Sequence, residues 1–250
     1  MCYDVAYMTK KAEKYAKHYG KQADWEDLKK RLPPVFHASG FGHPDLPVIA
    51  SNNPSIIQTF EWGLIPPWAK DPVSATQISN KTINARSEEM FEKPSFRHAA
   101  KQNHCLIIVD GFFEHHWKDG KSFPHFIQNK SEEPMTLAGI WEEWNGKNTV
   151  SILTTSANPL MTRIHNNPKA AHEPRMPVII DPKNHELWLQ PADTVESKEK
   201  AKQLLIPYSA DEMKAHPVKP LRGKNYMGNK PEIHEQYNYP ELTSNQQSLF

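Results

Sequence analysis

Cys2 directly follows Met1 in this 250-residue chain, and a cysteine at an N-terminus carries two nucleophiles on neighbouring carbons. Loss of Met1 frees an α-amine that titrates near ~7.7–8.0, beside a thiol near ~8.5 unless its surroundings lower it. Such an aminothiol captures aldehydes. The amine condenses to a Schiff base and the thiolate then closes a five-membered thiazolidine, so one acceptor carbon is held by two bonds. Taken alone, Cys2 is equally well read as a terminal residue of no consequence. Its meaning depends on what the rest of the chain brings to it.

Four segments carry more chemistry than a connection needs. Trp62-Gly-Leu-Ile-Pro-Pro-Trp68 sets two tryptophans around a rigid turn. A flat ring held this way suits stacking on an unpaired base, worth about 1–3 kcal/mol per base; the competing reading is a corner of the core. Asn84-Ala-Arg-Ser-Glu88 brings an amide donor and acceptor at Asn84 and, at Arg86, a planar fork that fits a phosphate. The same residues also read as a helix cap with Glu88 in the first turn. In Gly111-Phe-Phe-Glu-His-His-Trp117, Glu114 follows an apolar run among aromatics. Desolvation there raises a carboxyl pKa toward the range useful for general acid–base catalysis; the alternative is a surface carboxylate at a strand end. Thr154 to His165 ends in a histidine at a helix terminus, and Arg175-Met-Pro-Val-Ile follows. Together these form one wall of a site, although His165 alone is equally a satisfied structural histidine.

The elements that must hold these residues are short. Helices are expected over Thr9–Gly20, from about Asp24 to before Pro33, and around Ala85–Phe91, Pro159–His165, Asn184–Leu189 and Thr194–Leu205. Strands are expected at Phe60–Ile65, Leu106–Phe113, Phe123–Gln128, Met135–Trp144, Val150–Thr155 and Val178–Ile180. Strands dominate the middle and helices interrupt it. The class is therefore α+β: one compact domain over residues 1–230, with a mainly antiparallel, curved or barrel-like sheet flanked by helices. Residues 231–250, rich in Asn, Gln, Glu, Tyr and Pro, read as a poorly ordered tail.

Composition narrows the function classes. Charged residues make up 24% and hydrophobic ones 38%, with a mean hydropathy of −0.72. No apolar run approaches the roughly 18 residues of a membrane span, and the first twenty residues lack the apolar stretch of a signal peptide, so a cytoplasmic, membrane-free protein is expected. Two cysteines, Cys2 and Cys105, do not make a disulfide framework, and Cys105 in CLIIVDGFF reads as core packing. A net charge of +1 neither supports nor excludes nucleic acid. Two rival classes stand beside aldehyde capture. One is a single-strand-binding module without chemistry, built on the aromatics and cations. The other is a metal hydrolase built on histidines such as His115, His116 and His125. Adjacent histidines on a strand point to opposite faces, and no HExxH or Cys/His ligand spacing is present.

Read in order, Cys2, WGLIPPW, NARSE, GFFE, TTSAN with Ile-His, and RMPVII resemble the SRAP family of SOS response-associated peptidases, or abasic-site processing proteins, from Cys2 to about Ile180. The resemblance implies a DNA-damage-response enzyme that senses abasic sites in single-stranded DNA and forms a covalent thiazolidine link through Cys2. Its class is peptidase or hydrolase with lyase-like Schiff-base chemistry, it needs no metal or organic cofactor, and it is open to replication-associated partners. By position, Cys2 matches the nucleophile, exposed after Met1 is lost, with autocatalytic release of Met1 as a related activity. Asn84 matches the residue orienting Cys2 and the sugar, Glu114 the acid–base residue, and Arg86 a phosphate-binding arginine. Trp62, Trp68 and Arg175 match positions along the DNA groove. Two departures stand out. Many members read Cys-Gly-Arg where this chain has Cys2-Tyr3-Asp4, so a cation is missing and Asp4 would repel phosphate if it faced it. Many members also place a histidine two residues before the arginine. Here an insertion containing His172 separates His165 from Arg175, so His165 is favoured and His172 is the runner-up.

Overall fold

A computed structural model describes residues 2–20 and 22–243. The strands are β1 (Asp4–Tyr7), β2 (Val35–Ser39), β3 (Asp45–Ala50), β4 (Asn53–Trp62), β5 (Asn84–Arg86), β6 (His104–Val109), β7 (Gly111–Lys118), β8 (Lys121–Asn129), β9 (Met135–Trp144), β10 (Lys147–Ser156), β11 (Arg175–Pro177) and β12 (Met213–Pro217). The helices are α1 (Ala12–Tyr19), α2 (Gln22–Arg31), α3 (Pro72–Ser79), α4 (Ala99–Gln102), α5 (Pro159–Ile164), α6 (His185–Trp188), α7 (Val195–Gln203) and α8 (Pro240–Thr243).

Two sheets share the core. In one, β4, β3, β6, β9 and β10 close a barrel, because β10 pairs antiparallel with β9 and parallel with β4 at Thr149–Glu61 and Val150–Trp62. Closure leaves no free edge inside the ring. It also explains why β6 is buried along its whole length: one face fills the barrel, and α6 covers the other through Trp188, which stacks on His104 at 4.1 Å. The other sheet runs β12-β8-β7-β1-β2, all antiparallel. Gly111 opens β7 because a Cβ there would collide with the Phe126 ring and the Ile127 carbonyl of β8. The α+β class and the barrel-like sheet read from the sequence are what the structure has.

Several element boundaries differ from the sequence reading, each for a local reason. Leu106–Phe113 is two strands, because Asp110 breaks the run and passes the chain from one sheet to the other. Its carboxylate accepts from the Thr9 amide and hydroxyl and from the Tyr15 hydroxyl, all at 2.8 Å. Thr9 therefore ties the sheets together instead of capping α1, which starts at Ala12. No helix forms over Ala85–Phe91. Residues Asn84–Arg86 instead pair with Ile152–Thr154 of β10, since a strand edge satisfies their backbone groups where a single helical turn would leave most of them open. Helix α3 went unanticipated, although Asp71 and Ser74 form a reciprocal capping box at its start.

The C-terminal reading also changes. Residues 231–243 do not form a loose tail: Ile233 is fully buried and His234 stacks on Phe126 at 4.2 Å. The Tyr239 hydroxyl donates to the Val218 carbonyl at 2.8 Å. The apolar and aromatic residues scattered among polar ones supply the anchors. Residues 244–250 lie outside the described residues.

Candidate active site

The site lies where the two sheets meet. Pairing of Asp4 with Phe113 sets Cys2 and Tyr3 along the part of β7 that carries Glu114. From the barrel side, β5 delivers Asn84 and Arg86, while β11 pairs with the end of β10 and delivers Arg175. Helix α5 completes the wall. Asn158 caps it by accepting from the Met161 amide at 2.8 Å, Pro159 sits in the first turn, and His165 ends it.

Cys2 is 1% exposed. Its carbonyl accepts a hydrogen bond from Asn84 Nδ2 at 2.8 Å. Among the described residues, the buried Asn84 Oδ1 has no hydrogen-bond partner, a costly state for an amide oxygen. Burial, and after it the Glu114 charge, push the Cys2 thiol far above its ordinary range. In the chain that still carries Met1, the sulfur is thus held as a thiol.

Glu114 is buried, at 9% exposed. Its Oε1 accepts from the His115 amide at 3.0 Å, and its Oε2 lies 3.6 Å from His165 Nδ1. His165 Nδ1 also lies 2.9 Å from the Arg175 carbonyl and 3.2 Å from the Arg175 amide nitrogen, so it donates to the one or accepts from the other according to its tautomer. A carboxylate and an imidazole thus stand side by side next to a buried thiol. That set can take up and return protons around one reacting carbon. Among the described residues, no three His, Cys, Asp or Glu side chains gather as a metal-binding group.

Two adjoining cavities, about 290 and 300 Å³, share Tyr3, His165 and Asn167 among their lining residues. The first adds Arg86, His172 and Arg175; the second adds Glu114, Trp117 and Arg222. The Tyr3 ring stacks on the exposed Phe41 at 5.1 Å. Larger hollows of about 480 and 510 Å³ lie beside Tyr208 and beside His185, and none of the residues singled out from the sequence lines them.

The structure therefore brings Cys2, Asn84, Glu114, His165 and Arg86 together. His165 contacts Glu114, whereas His172 is an exposed residue on the rim of the first cavity. Arg175 lines that cavity but is committed inward, donating to Thr154 Oγ1 at 3.2 Å, the Thr154 carbonyl at 2.6 Å and Glu88 at 2.7 Å. It clamps β11, β10 and the NARSE loop together. Trp62 does not line a groove. It is fully buried in the core, with Nε1 donating to the Ile83 carbonyl at 2.8 Å. Trp68, 51% exposed, is the tryptophan of that segment that faces outward. Asp4 does not face a phosphate either: it is buried and bound by Arg222 and His37. Sequence reasoning missed Arg222, which lies 218 residues from Asp4 with no local motif around it.

A barrel and a second sheet meeting over a buried cysteine, with Glu114 and His165 beside it, define a class of single-domain α+β proteins centred on residue 2. The chain belongs to the SOS response associated peptidase (SRAP) family, which matches residues 1–224. It is 38% identical over 200 residues to the abasic site processing protein YoqW of Bacillus subtilis, covering 77% of this chain and 82% of that one. It is 30% identical over 195 residues to the abasic site processing protein HMCES of Gallus gallus, covering 68% of this chain and 54% of that one. The fold is similar to a crystal structure of a protein from Bacteroides thetaiotaomicron, with a TM-score of 0.81 and 31% identity over 95% of this chain and all of the other. No helix among the described residues is long and apolar enough to cross a membrane.

Proposed function

We propose that this protein captures abasic sites in single-stranded DNA by forming a thiazolidine between the deoxyribose aldehyde and Cys2, after loss of Met1. Relatives named abasic site processing proteins support the substrate. The observation that carries the chemistry is Glu114 in contact with His165 and acting on the buried Cys2 thiol, with the Cys2 carbonyl held by Asn84.

The steps follow from those contacts. Met1 itself lies outside the described residues. Its loss leaves an α-amine at Cys2 that can donate to the orphaned Asn84 Oδ1, and an ammonium beside the sulfur lowers the thiol pKa that burial had raised. An abasic sugar is a closed hemiacetal in equilibrium with an aldehyde. Glu114 protonates the ring oxygen and takes back the proton that the anomeric hydroxyl loses as the sugar opens. The neutral amine adds to C1′ and passes one proton to the oxygen, water leaves with a proton from Glu114, and Glu114 regains the remaining proton from the nitrogen as the Schiff base forms. The thiol then adds across the C=N bond. Sulfur bonds to C1′, the nitrogen gains the proton, and no oxidant or reductant is required. His165 is placed to exchange protons with Glu114 or the sugar hydroxyl. Exposed Trp68 offers a ring for base stacking, and Arg86 a guanidinium for phosphate.

Incubation with single-stranded DNA freshly excised at uracil is expected to give a heat-stable, slower-migrating band on denaturing gels. Cys2→Ala removes it, and Glu114→Gln slows its appearance by about 10²–10⁴-fold. A wild-type protein that binds this DNA without any covalent band would instead be a single-strand-binding module. An unchanged rate for Glu114→Gln would take that residue out of the chemistry.

A further inference from the structure

Arg222 lies on the strap that follows β12, and the sequence motifs do not account for it. We propose that Arg222 is a phosphate-binding cation of the second cavity, aimed there by the buried carboxylate of Asp4, so that the C-terminal strap completes the DNA site. The inference rests on the reading of the site as a single-stranded DNA groove.

Three observations carry it. First, the ion pair is one-sided. Asp4 is 3% exposed, yet the Arg222 side chain is 54% exposed. Only Nη2 of the guanidinium is used, contacting the two Asp4 oxygens at 2.9 and 2.8 Å. Among the described residues, Nε and Nη1 have no partner, and the fork lines the cavity that holds Glu114 and His165. An arginine serving only the fold would bury its donors, whereas this one presents them.

Second, the support is extensive. Asp4 has another partner, His37 Nε2 at 3.1 Å, whose Nδ1 in turn meets the Tyr226 hydroxyl at 2.8 Å. Part of the carboxylate is thereby satisfied without Arg222. The strap is pinned on both sides of Arg222, by Val218 donating to the Pro124 carbonyl at 2.9 Å and by Asn229 accepting from the Phe36 amide at 2.6 Å. Burying a carboxylate is costly, and here it fixes the direction of a half-exposed cation.

Third, the placement is complementary. The two cavities meet at Tyr3, with Arg86 in the first and Arg222 in the second. A single strand passing through both cavities meets a guanidinium in each, beside the shared residues Tyr3 and His165.

The test uses the full-length protein and two DNA probes. One is a single-stranded oligonucleotide carrying a tetrahydrofuran abasic analogue, which has no aldehyde and reports binding alone. The other is uracil-excised DNA, which reports the cross-link. For Arg222→Gln, affinity for the analogue is expected to fall about 5–20-fold, and the slope of log affinity against log salt to shrink by about 0.7, the value of one phosphate contact on a single strand. Arg222→Lys keeps most of that slope. Asp4→Asn lowers affinity in the same way although Arg222 remains, and the double variant is no weaker than Arg222→Gln. If Asp4→Asn does not fold, the Gln and Lys variants decide the matter. A purely structural Arg222 would lower the melting temperature and leave the salt slope intact, and that result overturns the inference. Should the wild-type protein cross-link while Arg222→Gln keeps both affinity and slope, Arg222 alone is excluded. A wild-type protein that neither binds nor cross-links removes the underlying reading and this inference with it.

Discussion

The two tryptophans of the WGLIPPW segment are expected to respond in opposite ways to substitution. Trp62 is fully buried and donates to the Ile83 carbonyl, one residue before Asn84. Trp62→Phe removes that bond, about 1 kcal/mol, and part of a ring system packed against Gly40 and Ile83, about 1–2 kcal/mol. The sum, about 2–3 kcal/mol, corresponds to a melting point lowered by about 4–12 °C in a domain of this size. DNA affinity of the folded variant should stay within about twofold, because no DNA touches the ring. Trp68 is 51% exposed, and its one hydrogen bond, to the Pro94 carbonyl at 3.1 Å, is open to water. Trp68→Ala should cost less than about 1 kcal/mol of stability but one stacked base, about 1–3 kcal/mol, or roughly 5–150-fold in affinity. Calorimetric melting and fluorescence anisotropy with labelled abasic-analogue DNA measure the two quantities separately. The reasoning is refuted if Trp62→Phe melts like the wild type while binding weakly, or if Trp68→Ala binds like the wild type.

Two further outcomes are expected. Burial depresses the imidazoles of His125 and His234 from 6.5 to about 4. The unfolded chain therefore takes up protons that the folded one refuses. Stability is whole above pH 6.5, declines as the pH falls toward 4 and levels off below it, by about 1–3 kcal/mol for each ring. His234→Asn should flatten the fall in urea midpoint between pH 7.5 and 4.5, and matching slopes for variant and wild type would show that His234 is not a source of it. For Met1, Glu114→Ala protein should retain the residue by intact mass if release is autocatalytic; its complete loss would assign removal to a separate aminopeptidase.

Sequence alone pointed to most of the candidate residues of this site and to little of what holds them. Glu114 was readable because a carboxylate following Gly-Phe-Phe on a strand has few places to go except a half-buried site. His165, ambiguous by itself, was favoured over His172 from the Ile-His context of the family resemblance. In each case the cause lies within a few residues of the side chain. Trp62 and Trp68 could not be told apart that way, since both flank the same turn. What separates them is that Val150 of the closed barrel pairs with Trp62, a contact 88 positions away in the chain. The expected helix over Ala85–Phe91 failed for a similar reason. The open edge of β10 at Ile152–Thr154 was a better partner for Asn84–Arg86 than helical hydrogen bonds.

Asp4 is the sharpest case. Beside Cys2 it reads as a charge opposed to DNA, and a net charge of +1 over the whole chain gives no hint otherwise. Its meaning reverses once Arg222 folds back onto it from the far end of the chain. A charge next to a nucleophile acts on the substrate only through the direction its field takes, and a buried carboxylate paired with a half-exposed arginine turns that field outward as positive. The strap that follows β12, which carries no motif in the sequence, is what brings that cation into place. Its anchors, Val218, Leu221 and Ile233, are too far apart in sequence to register as an element, yet each is buried in the same small cluster against Phe113 and Phe126. Loss of that cluster should therefore free the Arg222 side of the groove before it disturbs the barrel that holds Asn84 and Arg86.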